Sequence, residues 1–220
     1  MNLKEELVEA CHKVYERGFV SAYDGNLSAR IDENKILITP SGVCKGDIKY
    51  EDILEIDNYG NRISGFGKVS TENKIHLVIY NNRPEINSVI HCHPVYCTAF
   101  AALGEGFTTP VFPEVVLSLG KVPLCKYATP STEELPNSML PYVEFSWAFL
   151  LESHGVVTIG KNIQGAFYRM EKLEHSAKTL SIARSMGREK TIPLVKLKEL
   201  YSIAESTYGI KIDKRNRLDY

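Results

Sequence analysis

Two histidines separated by one residue are the most chemically informative feature of the sequence. His91 and His93 flank Cys92 in the segment 88–94. Strand side chains alternate between two faces, so both imidazoles are expected on one face and Cys92 on the other. The β-branched residues before them are typical of a buried strand, which Pro94 would end. The pair predicts half of a metal site at a strand end, with an ordinary polar pair as the alternative.

His154 is the candidate for a third ligand. It follows a strand pattern and precedes Gly155, which allows a sharp turn of the backbone. Three histidines with one open coordination position are typical of catalytic zinc sites, because the open position must admit substrate. Glu72 is a candidate for that position at rest. The remaining histidines lie within helical patterns and are expected to be surface or core residues: His12, His76 and His175.

Two glycine-containing turns and the start of a helix carry polar groups suited to an anion. In the first turn, Gly25 permits a close approach of the backbone to a ligand next to Asn26. The second turn, 39–42, is expected to leave hydroxyl and N–H groups pointing outward. Ser70 or Thr71 is expected to cap the helix that follows, whose free N–H groups can bind an anion. Each turn alone is also consistent with an ordinary loop.

The elements that must position these residues are short strands and flanking helices. An amphipathic helix is predicted near the N terminus, and two helices, at 162–185 and 193–207, are predicted near the C terminus. Between them lie short strand patterns, many joined by hairpin-length loops. This order predicts an α/β fold with a largely antiparallel sheet covered by helices. The 220 residues, 44% of them hydrophobic, are expected to form one domain over 1–220.

Charge and cysteine content argue against several function classes. Lysine plus arginine total 26 and aspartate plus glutamate total 27, so the broad basic face of a nucleic-acid-binding protein is not expected. The five cysteines are odd in number and scattered, which favours reduced thiols. The sequence shows no signal-peptide pattern and no apolar run of the roughly 18 residues that a membrane span needs. We therefore expect a cytoplasmic protein with no membrane partner.

Six short motifs, in order along nearly the whole chain, resemble those of the class II aldolase and adducin-head family. They are Gly-Asn-Leu-Ser at 25–28, Thr-Pro-Ser-Gly at 39–42, Ser-Thr-Glu at 70–72, His-Cys-His at 91–93, Ser-His-Gly at 153–155 and Thr-Tyr-Gly at 207–209. Each motif alone is weak, but six at family-like spacing are highly specific. The pattern is most similar to the L-fuculose-phosphate aldolase branch. This resemblance implies a three-layer αβα sandwich and a cyclic homotetramer with active sites at the subunit interfaces.

The resemblance also implies roles for individual residues. His91, His93 and His154 would bind Zn2+, although cobalt, nickel or manganese could occupy the same ligands. Glu72 would be the catalytic carboxylate, and Tyr208 would close over the site. The phosphate group of a small phosphorylated sugar substrate would be held by five residues: Asn26, Ser41, Gly42, Ser70 and Thr71.

One position departs from the L-fuculose-phosphate aldolase branch. Where that branch has a tyrosine from the neighbouring subunit at the aldehyde oxygen, this sequence has Glu114. An acidic residue there is similar to the methylthioribulose-phosphate dehydratase and ribulose-phosphate epimerase branches. The dehydratase branch, however, lacks the counterpart of Glu72, and the epimerase branch usually has aspartate there. Glu114 is expected to be the acid or base at the aldehyde oxygen, with an inter-subunit salt bridge or helix cap as the alternative.

The activity that the resemblance implies is that of a zinc-dependent aldolase. The expected reaction is reversible cleavage of a 1-phosphorylated ketose or deoxyketose, such as L-fuculose 1-phosphate, into dihydroxyacetone phosphate and a small aldehyde. Three alternatives stay open: a methylthioribulose-1-phosphate dehydratase-like lyase, a ribulose-phosphate 4-epimerase-like isomerase and a non-catalytic adducin-like interaction domain. The last is disfavoured, because an interaction domain would be expected to have lost the metal ligands.

Overall fold

The computed structural model describes residues 2–218, without the side chain of Tyr208. Within this range the chain forms α-helices, β-strands and two short 3₁₀ turns. The helices are α1 (Leu3–Glu16), α2 (Asn73–Asn82), α3 (Val95–Ala102), α4 (Pro113–Ser118), α5 (Glu134–Val143), α6 (Ile163–Met186) and α7 (Leu194–Tyr208). The strands are β1 (Asn26–Arg30), β2 (Ile36–Ile38), β3 (Leu54–Ile56), β4 (Arg62–Ser64), β5 (Ser88–Cys92), β6 (Leu124–Cys125), β7 (Ala148–Leu151) and β8 (Gly155–Gly160).

The strands form one sheet in the order β4-β3-β2-β1-β5-β8-β7-β6. Every neighbouring pair is antiparallel except β6 and β7, which run parallel. Helix α5 lies between β6 and β7 in the chain, because two parallel strands need a crossover connection rather than a hairpin. The predicted α/β fold with a largely antiparallel sheet is confirmed.

Buried apolar side chains form two large clusters on opposite sides of the central strands. In β5, Ile90 and Cys92 pack with residues of α1, α3 and α6, whereas Val89 packs with residues of α2 and α5. Successive strand side chains face opposite ways, so the two clusters lie on opposite faces of β5. His91 alternates with Ile90 and Cys92 and therefore faces α2, as the sequence pattern predicts.

The antiparallel pairing of three strands places the predicted site residues at one end of the sheet. In the β1–β5 ladder Asn26 lies opposite His91, and in the β5–β8 ladder Val157 lies opposite His91. Since β1 and β8 both run antiparallel to β5, their first residues meet the last residues of β5. The turn that carries His154, between β7 and β8, reaches the same end.

The helices match the sequence prediction closely at the chain ends, and between them the prediction missed α4 and the cap of α2. The longest, α6, spans 24 residues, and Asn162 caps it by accepting a hydrogen bond from the N–H of Gly165 at 2.7 Å. None of the helices in the described part of the chain has the length and apolar run needed to cross a membrane. The prediction that Ser70 or Thr71 caps α2 was wrong, because the cap position is Glu72 and no side chain caps the helix.

The short helix α4 was not predicted from the sequence. Its six residues, Pro113–Ser118, begin with a proline, which is compatible with a first helical turn. Six residues are too few to show the 3.6-residue periodicity by which a helix is recognised. This helix carries Glu114 on its exposed side.

Candidate active site

Three imidazoles meet at the end of β5. His91 lies in the strand, His93 follows it, and His154 lies in the turn after β7. Their ring centroids are 4.8 to 5.1 Å apart. One ring nitrogen from each lies within 4.8 Å of the others, and the Nε2 atoms of His91 and His93 are 3.1 Å apart. The three predicted ligands therefore converge, and together they could hold a divalent transition metal.

Burial and hydrogen bonding keep the first two histidines in the form that binds metal. His91 is fully buried, and its Nδ1–H donates to the carbonyl oxygen of Val156 at 3.0 Å. The proton therefore lies on Nδ1, which leaves Nε2 free as a ligand. Burial lowers the pKa of His91 well below its ordinary value, and burial and the neighbouring His154 lower the pKa of His93. Both rings are neutral at pH 7, which suits a metal site.

The turn that carries His154 depends on its two neighbours. Ser153 has a φ of 55°, in the left-handed region that side chains rarely adopt. A β-carbon on Gly155 would lie 2.5 Å from Cδ2 of His93 and 2.7 Å from the carbonyl oxygen of Cys92. Glycine is therefore needed for β8 to begin this close to the end of β5. The buried Nδ1 of His154 has no hydrogen-bond partner within the described residues.

Glu72 connects the imidazoles to the rest of the site. Its Oε1 lies 3.2 Å from Nε2 of His154, and its Oε2 lies 3.6 Å from Nε2 of His91. The Nδ2 of Asn26 donates a hydrogen bond to Oε2 at 2.9 Å. Burial favours the neutral acid, but the hydrogen bonds from His154 and Asn26 and the adjacent imidazoles hold the pKa of Glu72 well below its ordinary value. The carboxylate is thus ionised beside the three predicted ligands.

A polar cavity of about 220 Å³ adjoins Glu72 and His93. All five residues predicted to hold a phosphate group line it: Asn26, Ser41, Gly42, Ser70 and Thr71. A β-bridge between Pro40 and Val69 holds two of the lining segments side by side, together with a 2.9 Å hydrogen bond from the N–H of Ser41 to the carbonyl of Lys68. The two predicted turns and the start of α2 are therefore parts of one cavity.

Ser131 lines the same cavity and was not predicted as a site residue. It has a φ of 68°, and its Oγ lies 2.6 Å from Oγ1 of Thr71. The sequence pattern around it predicted a helix cap, but α5 begins at Glu134, and Thr132 Oγ1 accepts the Glu134 N–H at 3.2 Å. No local pattern indicates the contact with Thr71, because the two hydroxyls lie 60 residues apart.

Lys45 connects two of the loops that line the cavity. The side chain is buried, and its Nζ donates to the carbonyl oxygens of Tyr23 at 3.1 Å and Val43 at 2.9 Å. Burial lowers the pKa of Lys45. Within residues 2–218, no lysine or arginine lines the cavity itself. Lys45 therefore fixes the two loops to each other through one ammonium group behind the cavity wall.

The sequence analysis also did not predict a line of hydrogen-bonded, buried polar side chains behind Glu72. His76 is fully buried and lies 2.5 Å from Asn26, whereas the sequence analysis assigned it to the surface or core with no part in the site. The signal that could have identified it is the four-residue spacing of Glu72, His76 and Tyr80, which places three polar side chains on one face of α2.

Glu114 does not meet the imidazoles within one chain. It lies in α4 and lines a separate groove with Arg17 and with Glu171 and His175 of α6. The sequence analysis placed Glu114 at the active site of a neighbouring subunit, and this role stays a prediction. The side chain of Tyr208 lies outside the described residues, so its role also stays a prediction.

Comparison with known proteins identifies the family. Residues 5–181 match the family described as class II aldolase and adducin N-terminal domain. The chain belongs to this family. It is 37% identical over 184 residues to a 3-oxo-tetronate 4-phosphate decarboxylase of Pectobacterium atrosepticum, covering 81% of this chain and 84% of the relative. It is 36% identical over 187 residues to an L-fuculose phosphate aldolase of Methanococcus maripaludis, covering 85% of this chain and 99% of the relative.

Solved structures agree with this assignment. YgbL from Escherichia coli superimposes with a TM-score of 0.84 at 30% identity, covering 90% of this chain and 97% of YgbL. An L-fuculose 1-phosphate aldolase superimposes with a TM-score of 0.83 at 30% identity, covering 90% of this chain and 93% of that structure. The family predicted from six motifs is confirmed, and this class II aldolase family member is a metal-dependent lyase. A decarboxylase was not among the predicted alternatives.

Proposed function

We propose that this protein is a zinc-dependent aldolase that reversibly cleaves a 1-phosphorylated ketose, such as L-fuculose 1-phosphate, into dihydroxyacetone phosphate and a small aldehyde. The observation that carries the proposal is the contact of Glu72 with two of the three converging imidazoles, beside a small polar cavity. Similarity to an L-fuculose phosphate aldolase over 85% of the chain supports this substrate class.

The reaction must stabilise negative charge that develops next to a ketone. Breaking the carbon–carbon bond leaves an enediolate, and pre-positioned electrostatic stabilisation of such an oxygen is a large part of catalysis. His91, His93 and His154 would hold the metal, which when bound supplies Lewis-acid stabilisation of several kcal/mol. The imidazole nitrogens of His91, which is buried, and of His93 and His154, which are half-buried, suit zinc, and other divalent transition metals could use the same donors.

Glu72 would transfer the proton to or from carbon. A general acid or base must lie within hydrogen-bond reach of the reacting group. The carboxylate lies against His91 and His154 on one side and is held by Asn26 on the other. A substrate that displaces it from the imidazoles would leave it next to the carbon that gains or loses the proton.

The polar cavity would bind the substrate phosphate. The hydroxyls of Ser41, Ser70 and Thr71, the backbone at Gly42 and the amide of Asn26 all line it. The N terminus of α2 adds the positive end of the helix dipole, which favours an anion. These donors resemble the backbone and hydroxyl cradles that bind phosphate elsewhere.

Decarboxylation of a 3-oxo-tetronate 4-phosphate is the second candidate, because a 37% identical relative carries that name. Loss of carbon dioxide from such a 3-oxo acid leaves the same enediolate of dihydroxyacetone phosphate as the aldol cleavage. The metal ligands, Glu72 and the phosphate cavity would then serve both reactions. Aldol cleavage additionally needs a base that removes the proton of the hydroxyl group on the leaving carbon, whereas loss of carbon dioxide does not.

That additional base is the proposed role of Glu114, which would come from a neighbouring subunit of a cyclic homotetramer. Tyr208 would close over the same interfacial site. Glu114→Gln is expected to slow aldol cleavage and to leave decarboxylation unchanged. Normal cleavage by this variant would instead assign Glu114 to an inter-subunit salt bridge or helix cap.

The arrangement of the whole chain is part of the proposal. Two apolar clusters on opposite faces of β5 support a three-layer αβα sandwich over a single domain, 1–220. A cytoplasmic location and the absence of nucleic-acid and membrane partners also stay proposals. The dehydratase and epimerase alternatives share the metal and phosphate sites, so only their products distinguish them.

The test is product analysis with protein whose metal content has been measured. The protein is incubated separately with L-fuculose 1-phosphate, 5-deoxyribulose 1-phosphate, methylthioribulose 1-phosphate, ribulose 5-phosphate and 3-oxo-erythronate 4-phosphate, and products are followed by NMR. Dihydroxyacetone phosphate with an aldehyde, abolished by a chelator, supports the aldolase. Carbon dioxide release from the 3-oxo acid alone supports the decarboxylase. A diketone phosphate or a xylulose phosphate would transfer the protein to the dehydratase or epimerase class.

A further inference from the structure

A continuous line of hydrogen bonds leads from the core to Glu72. Tyr80 OH lies 2.7 Å from Ser28 Oγ, which lies 2.6 Å from Nδ1 of His76. Nε2 of His76 lies 2.5 Å from Oδ1 of Asn26, whose Nδ2 lies 2.9 Å from Oε2 of Glu72. Four of these residues are buried, and none of them is a predicted metal ligand. Asn26 and Ser28, two residues apart on one face of β1, thus alternate along the line with Glu72, His76 and Tyr80, which are spaced four residues apart along α2.

The chemistry of the end groups determines the direction of every bond in this line. An amide nitrogen only donates, so Nδ2 of Asn26 donates to Oε2 of Glu72. Oδ1 of Asn26 then faces His76 and can only accept, so Nε2 of His76 carries a proton. Burial lowers the pKa of His76 to about 3, so the ring is neutral and its Nδ1 accepts from the hydroxyl of Ser28. Ser28 Oγ in turn accepts from Tyr80.

We infer that His76 is a positioning residue that acts through Asn26, holding its amide with the nitrogen toward the catalytic carboxylate. This inference rests on the proposed role of Glu72. With the opposite amide orientation, Oδ1 of Asn26 would face the carboxylate and its NH2 would face the N–H of His76. Both contacts would be repulsive, so the Nε2–H of His76 reinforces the amide orientation that Glu72 requires. The amide can therefore serve both Glu72 and the cavity that Asn26 lines.

The position of His76 supports a functional reading over simple core packing. It lies on the buried side of α2, between Ile75 and Leu77, where an apolar residue would avoid the cost of desolvating an imidazole. Every polar atom along the line has a partner, so the network satisfies the condition under which buried polar groups specify one arrangement. The network runs from the buried Tyr80 to the carboxylate of Glu72, so it connects the core to the site.

Two substitutions of His76 separate positioning from packing. Gln places its amide nitrogen near the former Nε2 and keeps a donor toward Asn26, whereas Asn can reach only Ser28. In the zinc-loaded enzyme, His76→Asn is expected to lower kcat by roughly 10- to 100-fold, the range for loss of an orienting hydrogen bond, while His76→Gln stays within a few-fold of wild type. His12→Asn, in which a half-buried helix histidine loses its bond to the Ile48 carbonyl, is the matched control and is expected to keep kcat. Equal kcat in the two His76 variants would overturn the inference.

A double mutant tests whether His76 acts through Asn26. If it does, adding His76→Asn to an Asn26→Ala enzyme should change kcat by less than about two-fold, because the residue to be positioned is gone. Multiplicative losses would overturn the inference. Thermal stability of all variants is measured in parallel, because a packing role would lower stability and kcat together in both His76 variants.

A spectroscopic measurement tests the inference without relying on enzymatic activity. In zinc-loaded protein with ¹⁵N-labelled histidine, the signals missing from His76→Gln identify the His76 ring. A neutral ring protonated on Nε2 supports the inference, and a charged ring or one protonated on Nδ1 overturns it. If wild-type protein turned over none of the tested phosphates, the proposed function would fail while this measurement still decided the orientation of the network.

Discussion

The two faces of β1 and β5 are equally buried and chemically opposite. The face toward α1, α3 and α6 carries apolar side chains: Leu27, Ala29, Ile90 and Cys92. Beside Val89, the face toward α2 carries polar side chains that are no less buried: Asn26, Ser28 and His91. A buried polar group left without a partner costs about 1–3 kcal/mol. On the face toward α1, α3 and α6 this penalty concerns Ser88 of β5, whose hydroxyl donates to the carbonyl oxygen of Ser28. The difference indicates that the apolar face maintains the fold and that the polar face is retained for its chemistry.

Removing a ligand at the end of the polar face should have the largest effect. His154→Ala is expected to lose the bound metal and with it several kcal/mol of transition-state stabilisation, or roughly 10³-fold or more in turnover. Metal content by inductively coupled plasma mass spectrometry and turnover are measured together, with His12→Asn as the control. Full metal occupancy in His154→Ala would remove this histidine from the ligand set.

Glu72→Gln should leave the metal site intact and impair the chemistry. Without an ionisable group to exchange a proton with carbon, turnover is expected to fall by about 100-fold or more. Zinc content and the affinity for inorganic phosphate should stay within a few-fold of wild type. The proposed role of Glu72 is falsified if this variant turns over substrate at a near-normal rate.

A substitution on the apolar face of β1 should lower stability and leave turnover unchanged. Leu27→Ala leaves a cavity beneath α1 and is expected to lower the free energy of unfolding by about 2–5 kcal/mol. Because Leu27 points away from the site, kcat per folded molecule should be unchanged. Asn26→Ala, one residue earlier, is the matched variant and should lower kcat much more than stability. Urea unfolding and active-site-normalised kinetics provide the comparison, and similar profiles for the two variants would contradict it.

The smallest expected effect, taken per pH unit, is on the pH dependence of stability in metal-free protein. The pKa of His76 is about 3 in the folded state, below its ordinary value of about 6.5 in the unfolded chain. The unfolded state therefore takes up the proton first as the pH falls. Stability is complete above pH 6.5 and is lost toward pH 3, at up to about 1.4 kcal/mol per pH unit for this one ring.

His76→Gln should flatten the stability curve between pH 6.5 and 4, as measured by urea unfolding at several pH values. Leu27→Ala should lower the whole curve without changing its slope, which makes it the control. An unchanged slope in His76→Gln would show that His76 is not buried as a neutral ring.

The placement of His91 and His93 and the sheet could be predicted because strand alternation is a strict local rule. His91 and His93 share a face with period two, and the β-branched residues before them indicate burial. Gly25 and Gly155 identified turns where the backbone approaches another group closely, and Gly42 identified a turn with a positive φ of 75°. Each of these signals lies within a few residues of the feature that it predicts.

The parts of the site that could not be predicted depend on contacts between distant segments. Ser131 reaches Thr71 across 60 residues, and Lys45 reaches the carbonyl of Tyr23 from another loop. The role of His76 depends on its contacts with Asn26 and Ser28 of β1. The two-residue spacing on the strand and the four-residue spacing on α2 are each ordinary alone, and neither indicates the other. The helix that carries Glu114 was missed because it is too short to show a period.

The pairing of β5 with β8 has a consequence for folding kinetics. It brings His91 and His93 together with a predicted ligand roughly 60 residues away, so the donor set is incomplete until that long chain segment has closed. Metal that binds only after this step should slow unfolding while leaving the refolding rate nearly unchanged. In the cell, bound metal would then lengthen the lifetime of the folded chain by slowing its unfolding.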